Sequence, residues 1–229
     1  MYYNPFKQEY FDVENLALRY YYLHEGLSGM HCENSFGKTL FGLLMWEIIF
    51  DSTVPYVFQT PFQAVPLDFG SKDFYILRKD KIHDRIGQIS AMSKEELDNE
   101  ITTKYNLHKN KYNSFVNWDS VRLTPKRLSE ITSIIGGKGV SKILENYAVD
   151  YKYWNHGMPD LILWNSSMEA AKFSEVKSEN DRLSEVQVAW LNFFNENGIE
   201  AEVCYINRQF EDETVTDCKI IDIFTKETN

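Results

Sequence analysis

The 229-residue sequence has few cysteines and no excess of positive charge. Its three cysteines, Cys32, Cys204 and Cys218, form no CxxC pair and no Cys/His spacing of the zinc type. This pattern argues against a disulfide framework or a structural zinc site, and it predicts a reduced, intracellular protein. We expect the cytoplasm of a bacterium or of a virus-infected cell, or the nucleus if the source is eukaryotic.

No segment has the composition of a membrane span or a secretory leader. The longest apolar run, residues 40–50, contains Glu47 and is too short to cross a bilayer, so it predicts a buried helix. The first residues lack a basic segment followed by an apolar stretch, so we expect no signal peptide and no membrane partner. Since repeats, low-complexity tracts and obvious linkers are also missing, we expect one domain over residues 1–229.

The net charge of −10 is unfavourable for binding a phosphate backbone, because that affinity comes largely from Lys and Arg. Residues 72–142 nevertheless carry 14 Lys and Arg against 9 Asp and Glu, a local excess of about +5. This asymmetry is compatible with a basic face on an acidic body and equally with ordinary solvated helices. Apolar residues make up 43% of the chain and aromatic residues 15%, enough to form a sizeable core.

Hydrophobic periodicity divides the chain into three zones. Residues 10–58 and 59–150 are mostly helical by pattern, whereas residues 151–229 change to the period of strands. The predicted helices cover residues 14–21, 35–50 with Ser35 as N-cap, 79–92, 93–105, 125–135 and a further stretch to about 149. Residues 26–34 are predicted to form a loop.

The third zone predicts an α/β fold with a mixed sheet flanked by helices. Strands are expected over residues 159–164, 172–177 and 202–206, with another over 219–224. A helix is expected over residues 185–197, ended by Gly198.

Two carboxylates and one lysine in this zone form a candidate site. Glu175 and Lys177 share a strand face because side chains alternate, and a turn would bring Asp160 beside Glu175. Two such carboxylates repel unless a cation lies between them, and Mg²⁺ takes oxygen ligands. Lys177 could orient or deprotonate a water, or neutralise charge on a phosphate. The alternative is a solvated strand face with a weak ion pair, after a Pro-Asp turn.

Four other polar features have simpler alternatives. Arg182 could donate to a phosphate in bidentate fashion or be an ordinary surface arginine. Residues 184–187 have the pattern of a capping box, which by itself explains Gln187. His156 lacks neighbouring ligand residues and is predicted to be structural or solvated. Residues 136–141 lack the GxxxxGK[ST] spacing and predict a turn.

The order of these residues resembles a known nuclease signature. Pro159-Asp160 followed by Glu175-Val176-Lys177 looks like the PD-(D/E)xK motif, which alone is weakly specific. The extended pattern resembles the VRR-NUC (virus-type replication-repair nuclease) domain of the Fanconi-associated nuclease branch. It comprises GMPDLILW at 157–164, FSEVKSENDRLS at 173–184, Gln187, Trp190-Leu191, ENLALRYY at 14–21, FGLLMWEIIF at 41–50 and FQAVPLD at 62–68.

The resemblance implies a restriction-endonuclease-like fold with residues 10–58 as N-terminal helices, 59–150 as a helical insertion and 151–229 as the catalytic sheet core. It implies that Mg²⁺ or Mn²⁺ is bound by Glu33, Asp160, Glu175 and the backbone carbonyl of Val176. Lys177 is catalytic in this scheme. Gln187 matches a family glutamine near the site, which leaves open whether it acts there or only as a helix cap.

The implied function is a metal-dependent DNA endonuclease or exonuclease in repair or replication. Its expected partner is flapped, branched or single-stranded DNA. We expect a monomer, because the helical insertion is thought to obstruct the dimer of short family members. The alternatives are a dimeric Holliday-junction resolvase, a non-catalytic DNA-binding module and, more remotely, a restriction-like nuclease with base specificity. The larger members carry further regions ahead of the nuclease, so this chain is either a small enzyme or one domain of a longer protein.

Overall fold

Two compact units make up the chain in the computed structural model, which describes residues 2–4, 9–178, 180–206 and 218–221. One unit contains Met1–Glu33 and Gly157–Asn229, and the other contains Asn34–His156. The first unit therefore joins two segments that are distant in sequence. The expectation of one domain over residues 1–229 stays a prediction.

The strands belong to two sheets in the described part of the first unit. A two-stranded antiparallel sheet and a five-stranded sheet of order β3-β4-β5-β6-β7 are present. The strands are β1 (Tyr2–Asn4), β2 (Glu9–Phe11), β3 (Ser28–His31), β4 (Leu161–Asn165), β5 (Ala170–Ser178), β6 (Glu200–Ile206) and β7 (Cys218–Ile221). In the larger sheet β5 and β6 are parallel and the other neighbours antiparallel, which confirms the predicted mixed sheet.

The helices differ in length between the two units. The first unit has α1 (Val13–Tyr20), which continues into a π-helical turn (Tyr21–Glu25). The second unit has α2 (Ser35–Leu44), α3 (Trp46–Ile49), α4 (Lys72–Ala91), α5 (Lys94–His108), α6 (Pro125–Val149) and α7 (Tyr151–Trp154). The chain then returns to the first unit for α8 (Glu185–Glu196). No helix in the described ranges is both long and apolar enough to span a membrane.

The alternating side chains of β5 pack against helices on both faces of the sheet. Val176 on one face joins an apolar cluster with Ala17 of α1. Phe173 on the other face stacks on Phe194 of α8, with ring centroids 4.1 Å apart. Burying one such side chain contributes about 1.5–3 kcal/mol. Because both faces are covered, the middle of β5 is held in a fixed register.

Helix α8 provides the crossover that the parallel pair β5–β6 requires. Ser184 and Gln187 form a capping box at its first turn, as their spacing predicted. Asn197 is the C-cap, and Gly198 follows with φ 73°, a left-handed conformation that favours glycine. The helix therefore begins and ends close to the predicted positions.

A buried ion-pair network lies on the α1 side of β5. The Lys172 Nζ atom is 2.7 Å from Glu25 and 3.1 Å from Glu202, and Tyr21 Oη donates to Glu202. Burial lowers the pKa of Lys172, but the carboxylates of Glu25 and Glu202 outweigh it and raise that pKa. Tyr21 Oη also lies 2.8 Å from Ser174 Oγ, which satisfies both hydroxyls. The network links the π-helical turn to β5 and β6.

The second unit is helical, as its periodicity predicted, but several boundaries differ. Helix α4 begins at Lys72 rather than residue 79, and α5 begins at the predicted Ser93–Glu96 capping box. Helix α6 changes direction at Gly136, where φ is 76° and ψ is 163°. The predicted stop at this glycine is therefore a kink, after which the helix resumes and continues to Val149.

Three local predictions were wrong. Residues 28–31 of the predicted loop form β3, because they pair with β4 far along the chain. Ser35 is the first residue of α2 and Asn34 is the N-cap, without a side-chain capping bond. The single helix predicted to end near residue 50 is interrupted at Met45. The predicted strand over 219–224 overlaps β7, and residues 222–224 lie outside the described residues.

Candidate metal and catalytic site

The candidate site forms where β4 begins and β5 runs beside it. Leu161 pairs with Ser174, so Asp160 lies opposite Glu175 in the antiparallel register. The Asp160 Oδ2 atom accepts a hydrogen bond of 2.9 Å from the backbone N–H of Val176. This bond fixes the Asp160 carboxylate against β5, next to Glu175.

Glu175 is the most enclosed carboxylate of the site, with 1% of its surface exposed. Its Oε1 atom accepts hydrogen bonds from Lys177 Nζ at 2.6 Å and Gln187 Nε2 at 2.5 Å. Its Oε2 atom is buried and accepts no hydrogen bond from the described residues. The backbone N–H of Asp160 is close enough to lower the pKa of Glu175, without the geometry of a hydrogen bond to Oε2.

Burial and neighbouring negative charges oppose ionisation of the two carboxylates, since Asp160 raises the pKa of Glu175 and Glu33 raises that of Asp160. Burial raises the pKa of Glu175 to about 7, the charge of Asp160 adds to the rise, and Lys177 opposes it. Burial also raises the pKa of Asp160, although the Val176 N–H and the charge of Lys177 act in the other direction. A cation between the two groups would favour their ionised forms.

Gln187 makes a contact in the helix cap and a second contact with the candidate site. Its Oε1 atom accepts from the backbone N–H of Ser184 at 2.9 Å and completes the capping box of α8. Its Nε2 atom donates to Glu175. One side chain therefore couples the start of α8 to the buried carboxylate.

The end of β3 brings a further carboxylate and an imidazole to Asp160. The backbone N–H groups of Cys32 and Glu33 both donate to the Asp160 carbonyl, at 2.8 and 3.2 Å. Glu33 has φ 36°, so the chain turns sharply here. One ligand-type atom from each of His31, Glu33 and Asp160 lies within 4.8 Å of the other two. Three ligand residues therefore converge at this corner of the sheet.

These residues fit a divalent cation. Asp160 and Glu33 supply carboxylate oxygens, and Glu175 Oε2 is a buried oxygen without a hydrogen-bond partner among the described residues. Carboxylates and water are the usual ligands of Mg²⁺ and Mn²⁺. A cation beside Glu175 and Asp160 would offset the burial cost of both charges.

The remaining predicted residues are placed differently. Val176 contributes its N–H to Asp160, and the ligand role predicted for its carbonyl stays a prediction. Arg182 is exposed in the segment between β5 and α8, and it forms no hydrogen bond or ion pair with the described residues. His156 belongs to the other compact unit.

His31 was not among the residues predicted for the site. Its available signal is the spacing His31-x-Glu33, which places two ligand types two residues apart. The spacing indicates a metal ligand only when β3 is known to end at His31, where it pairs with Leu161 beside Asp160. Because β3 was not predicted, His31 was not predicted as a candidate ligand.

The same arrangement of elements occurs in a known family. The sequence pattern described as the VRR-NUC domain matches residues 92–207, just over half of the chain. The chain belongs to the VRR-NUC family. This membership confirms the resemblance, and the matched residues include Asp160, Glu175 and Lys177.

Relatives of this VRR-NUC chain carry the name Fanconi-associated nuclease 1. The homologue of Dictyostelium discoideum is 38% identical over 210 residues, covering 86% of this chain and 19% of that protein. The Homo sapiens protein is 35% identical over 195 residues, covering 85% and 19% respectively. The Schizosaccharomyces pombe homologue is 38% identical over 198 residues, which cover 85% of this chain and 27% of that protein. The chain thus spans about one fifth to one quarter of these relatives.

A solved structure has the same fold. The crystal structure of paFAN1 bound to a 2-nt 5′-flap DNA with a gap superimposes with a TM-score of 0.79 at 27% sequence identity. The match covers 92% of this VRR-NUC chain and 37% of the other chain. It confirms the predicted PD-(D/E)xK-like mixed sheet flanked by helices.

Proposed function

We propose that this VRR-NUC chain is a divalent-metal-dependent DNA nuclease whose centre contains Asp160, Glu175 and Lys177. The observation that carries the proposal is the buried Glu175 Oε2 atom, which lacks a hydrogen-bond partner in the described part of the chain, on a side chain that the charge of Asp160 also affects. A folded protein gains nothing in stability from such a pair without a cation. Family membership supports the same conclusion from the sequence.

Each side chain has a distinct role in the proposed reaction. Asp160, Glu175 and Glu33 would hold Mg²⁺ or Mn²⁺, with the Val176 carbonyl as a further ligand. The bound cation would polarise the phosphate and lower the pKa of an attacking water. Lys177, with Nζ 2.6 Å from Glu175, would orient that water and neutralise charge developing on the phosphate.

Gln187 acts as a positioning residue in this proposal. Its amide holds Glu175 Oε1 together with Lys177, which leaves Oε2 directed away from both donors. The helix cap fixes the amide in turn, because Ser184 holds its other end. The orientation of the Glu175 carboxylate therefore depends on the first turn of α8.

The proposed substrate is 5′-flap or otherwise branched DNA, in repair or replication. Support comes from paFAN1, which was crystallised with 1-nt and 2-nt 5′-flap DNA. Arg182 is exposed beside the site-bearing strand and is available to a phosphate. The net charge of −10 implies that other parts of a longer protein, or a partner, would add affinity for DNA.

We further propose that the chain acts as a monomer, since residues 34–156 retain the helical insertion. An intracellular location, nuclear if the source is eukaryotic, stays a prediction. The mass of the protein in solution tests the monomer. A stable dimer that cuts four-way junctions symmetrically would favour a junction resolvase instead.

Cleavage of a panel of end-labelled DNA tests the proposed function. Wild-type protein should cut 5′-flap DNA faster than nicked, four-way or single-stranded DNA in Mn²⁺ or Mg²⁺, and should cut nothing in EDTA. Asp160→Ala should remain folded and cut none of them. Binding of flap DNA in EDTA without cleavage in either metal would favour a non-catalytic DNA-binding module. Defined cut sites on linear duplex would indicate base specificity.

A further inference from the structure

His31 lies at the candidate metal site, although the nuclease pattern does not include it. It is the last residue of β3 and pairs with Leu161, the residue after Asp160. Its Nε2 atom is 3.7 Å from Glu33 Oε1, and both fall within the 4.8 Å cluster that includes Asp160. The imidazole is therefore close enough to the two carboxylates for all three groups to bind one cation.

The backbone holds His31 near Asp160 independently of any side-chain contact. The β3–β4 pairing ends at His31, and the next two N–H groups donate to the Asp160 carbonyl. This fixes the distance between the two ligand-bearing segments. Side chains on a scaffold fixed in this way can form a metal site without a large rearrangement.

An ordinary surface ion pair does not account for the whole cluster. The His31 side chain is 30% exposed and that of Glu33 is 60% exposed, so their attraction alone would contribute about 0–1 kcal/mol. Glu175, beside Asp160, adds a buried Oε2 atom without a hydrogen-bond partner among the described residues. Glu175 is not one of the three clustered residues, but its unpartnered buried oxygen, on the neighbouring strand β5, also indicates that this corner of the sheet binds a cation.

We propose that His31 is a nitrogen ligand of the cation held by Glu33 and Asp160, and that it makes the site favour Mn²⁺ over Mg²⁺ and Ca²⁺. Mg²⁺ and Ca²⁺ take oxygen ligands, whereas an imidazole nitrogen suits transition metals. The inference rests on the proposed metal-dependent function, which itself requires only the carboxylates. The role of His31 can therefore fail while the nuclease assignment stands.

Pulsed EPR of bound Mn²⁺ tests the ligand directly, without any activity measurement. Wild type should show a ¹⁴N hyperfine coupling from a coordinated imidazole, and His31→Gln should lose it. His24→Gln is the matched control, because His24 is exposed, in the same unit and outside the cluster. That variant should keep the coupling.

Calorimetric titration with MnCl₂ and CaCl₂ tests the selectivity. His31→Gln should weaken Mn²⁺ binding about tenfold or more, since even outer-shell changes cost about 10- to 100-fold. The Ca²⁺ affinity should change by less than about threefold, because Ca²⁺ prefers oxygen ligands. Equal losses for the two metals would contradict a selective nitrogen ligand.

Asp160→Asn separates failure of this inference from failure of the metal site. Mn²⁺ binding that depends on Asp160 but shows no ¹⁴N coupling in wild type would overturn the role of His31 and leave the carboxylate site intact. A coupling that persists in His31→Gln would also overturn it. Absence of any Asp160-dependent Mn²⁺ binding would contradict both the ligand role and the proposed metal dependence.

Discussion

Replacing Glu175 with glutamine should change how stability depends on pH in the metal-free protein. Burial raises the pKa of Glu175 from its ordinary 4.5 to about 7, Asp160 adds to the rise, and Lys177 opposes it. Since the folded-state pKa is raised, the contribution of this group to stability is fully present below pH 4.5 and is lost as the pH rises through about 7.

The shift from 4.5 to about 7 corresponds to about 3 kcal/mol between the protonated and ionised forms. Solvent screening reduces this figure little, because Glu175 is only 1% exposed. Glutamine preserves the shape of the side chain and cannot ionise. From about pH 4 to about pH 8, wild type should therefore lose about 3 kcal/mol more unfolding free energy than Glu175→Gln.

Urea denaturation in EDTA at the two pH values measures this difference. Comparing each protein with itself removes any constant offset from the lost contact with Lys177. Glu200→Gln is the control, since Glu200 is a mostly exposed carboxylate on the neighbouring strand, and it should follow wild type. An offset between wild type and Glu175→Gln that does not change with pH would show that Glu175 does not ionise with a raised pKa in the folded protein.

Three other substitutions test separate parts of the account. Lys172→Met should lower stability by about 3–5 kcal/mol in urea denaturation, because it leaves the buried Glu202 and the partly buried Glu25 without their cation; a loss below about 1 kcal/mol would contradict a buried network. Ser184→Ala should cost about 1 kcal/mol as a lost N-cap yet leave Mn²⁺ affinity unchanged, because the backbone N–H of residue 184 still holds Gln187 towards Glu175; weakened Mn²⁺ binding would show that the Ser184 hydroxyl is also needed to position the site. Lys177→Met should slow single-turnover cleavage by about 100-fold or more while Mn²⁺ still binds; cleavage near the wild-type rate would remove Lys177 from catalysis.

Local signals in the sequence were sufficient for the sheet core. The alternation over residues 172–177 predicted β5 because its two faces carry different chemistry, and both faces are packed by helices. The capping boxes at Ser93 and Ser184 predicted the starts of α5 and α8, since each is formed within one helical turn. The residues within such elements indicate where the elements begin.

Elements that depend on distant partners were missed. Strand β3 has only one apolar side chain, that of Met30, and its pairing partner, β4, lies more than a hundred residues away in sequence. Gly29 allows this approach, because a Cβ there would lie 2.5 Å from Leu18 and 2.6 Å from Leu163. Gly29 is a residue type typical of loops, but here it allows a strand to pack closely against its neighbours.

The start of α4 was misplaced because a charged residue occupies its buried face. Arg78 is 1% exposed, and it donates to Asp68 at 2.6 Å and to the Ile48 carbonyl at 3.0 Å. An arginine at this position interrupts the apolar periodicity that defines the helix. Only its partners, which come from other segments of the second unit, explain why it can be buried.

The residues of the candidate site also differ in whether a local pattern or a long-range contact indicates them. Asp160, Glu175 and Lys177 followed from strand alternation and the chemistry of carboxylates, and Glu33 followed from the family resemblance. His31 required the β3–β4 pairing, which no local pattern indicates. Gln187 fits both the cap pattern and the family pattern because its amide oxygen and nitrogen contact different partners, Ser184 and Glu175.

The most direct test of the nuclease assignment is single-turnover cleavage of an end-labelled 5′-flap duplex by wild type and by Asp160→Asn. We expect wild type to cut the flap strand in Mn²⁺ and not in EDTA. We expect the folded variant, which keeps the shape of the side chain but loses its charge, not to cut in either condition. Cleavage in EDTA, or cleavage by folded Asp160→Asn at the wild-type rate, would contradict a metal-dependent centre built on this carboxylate.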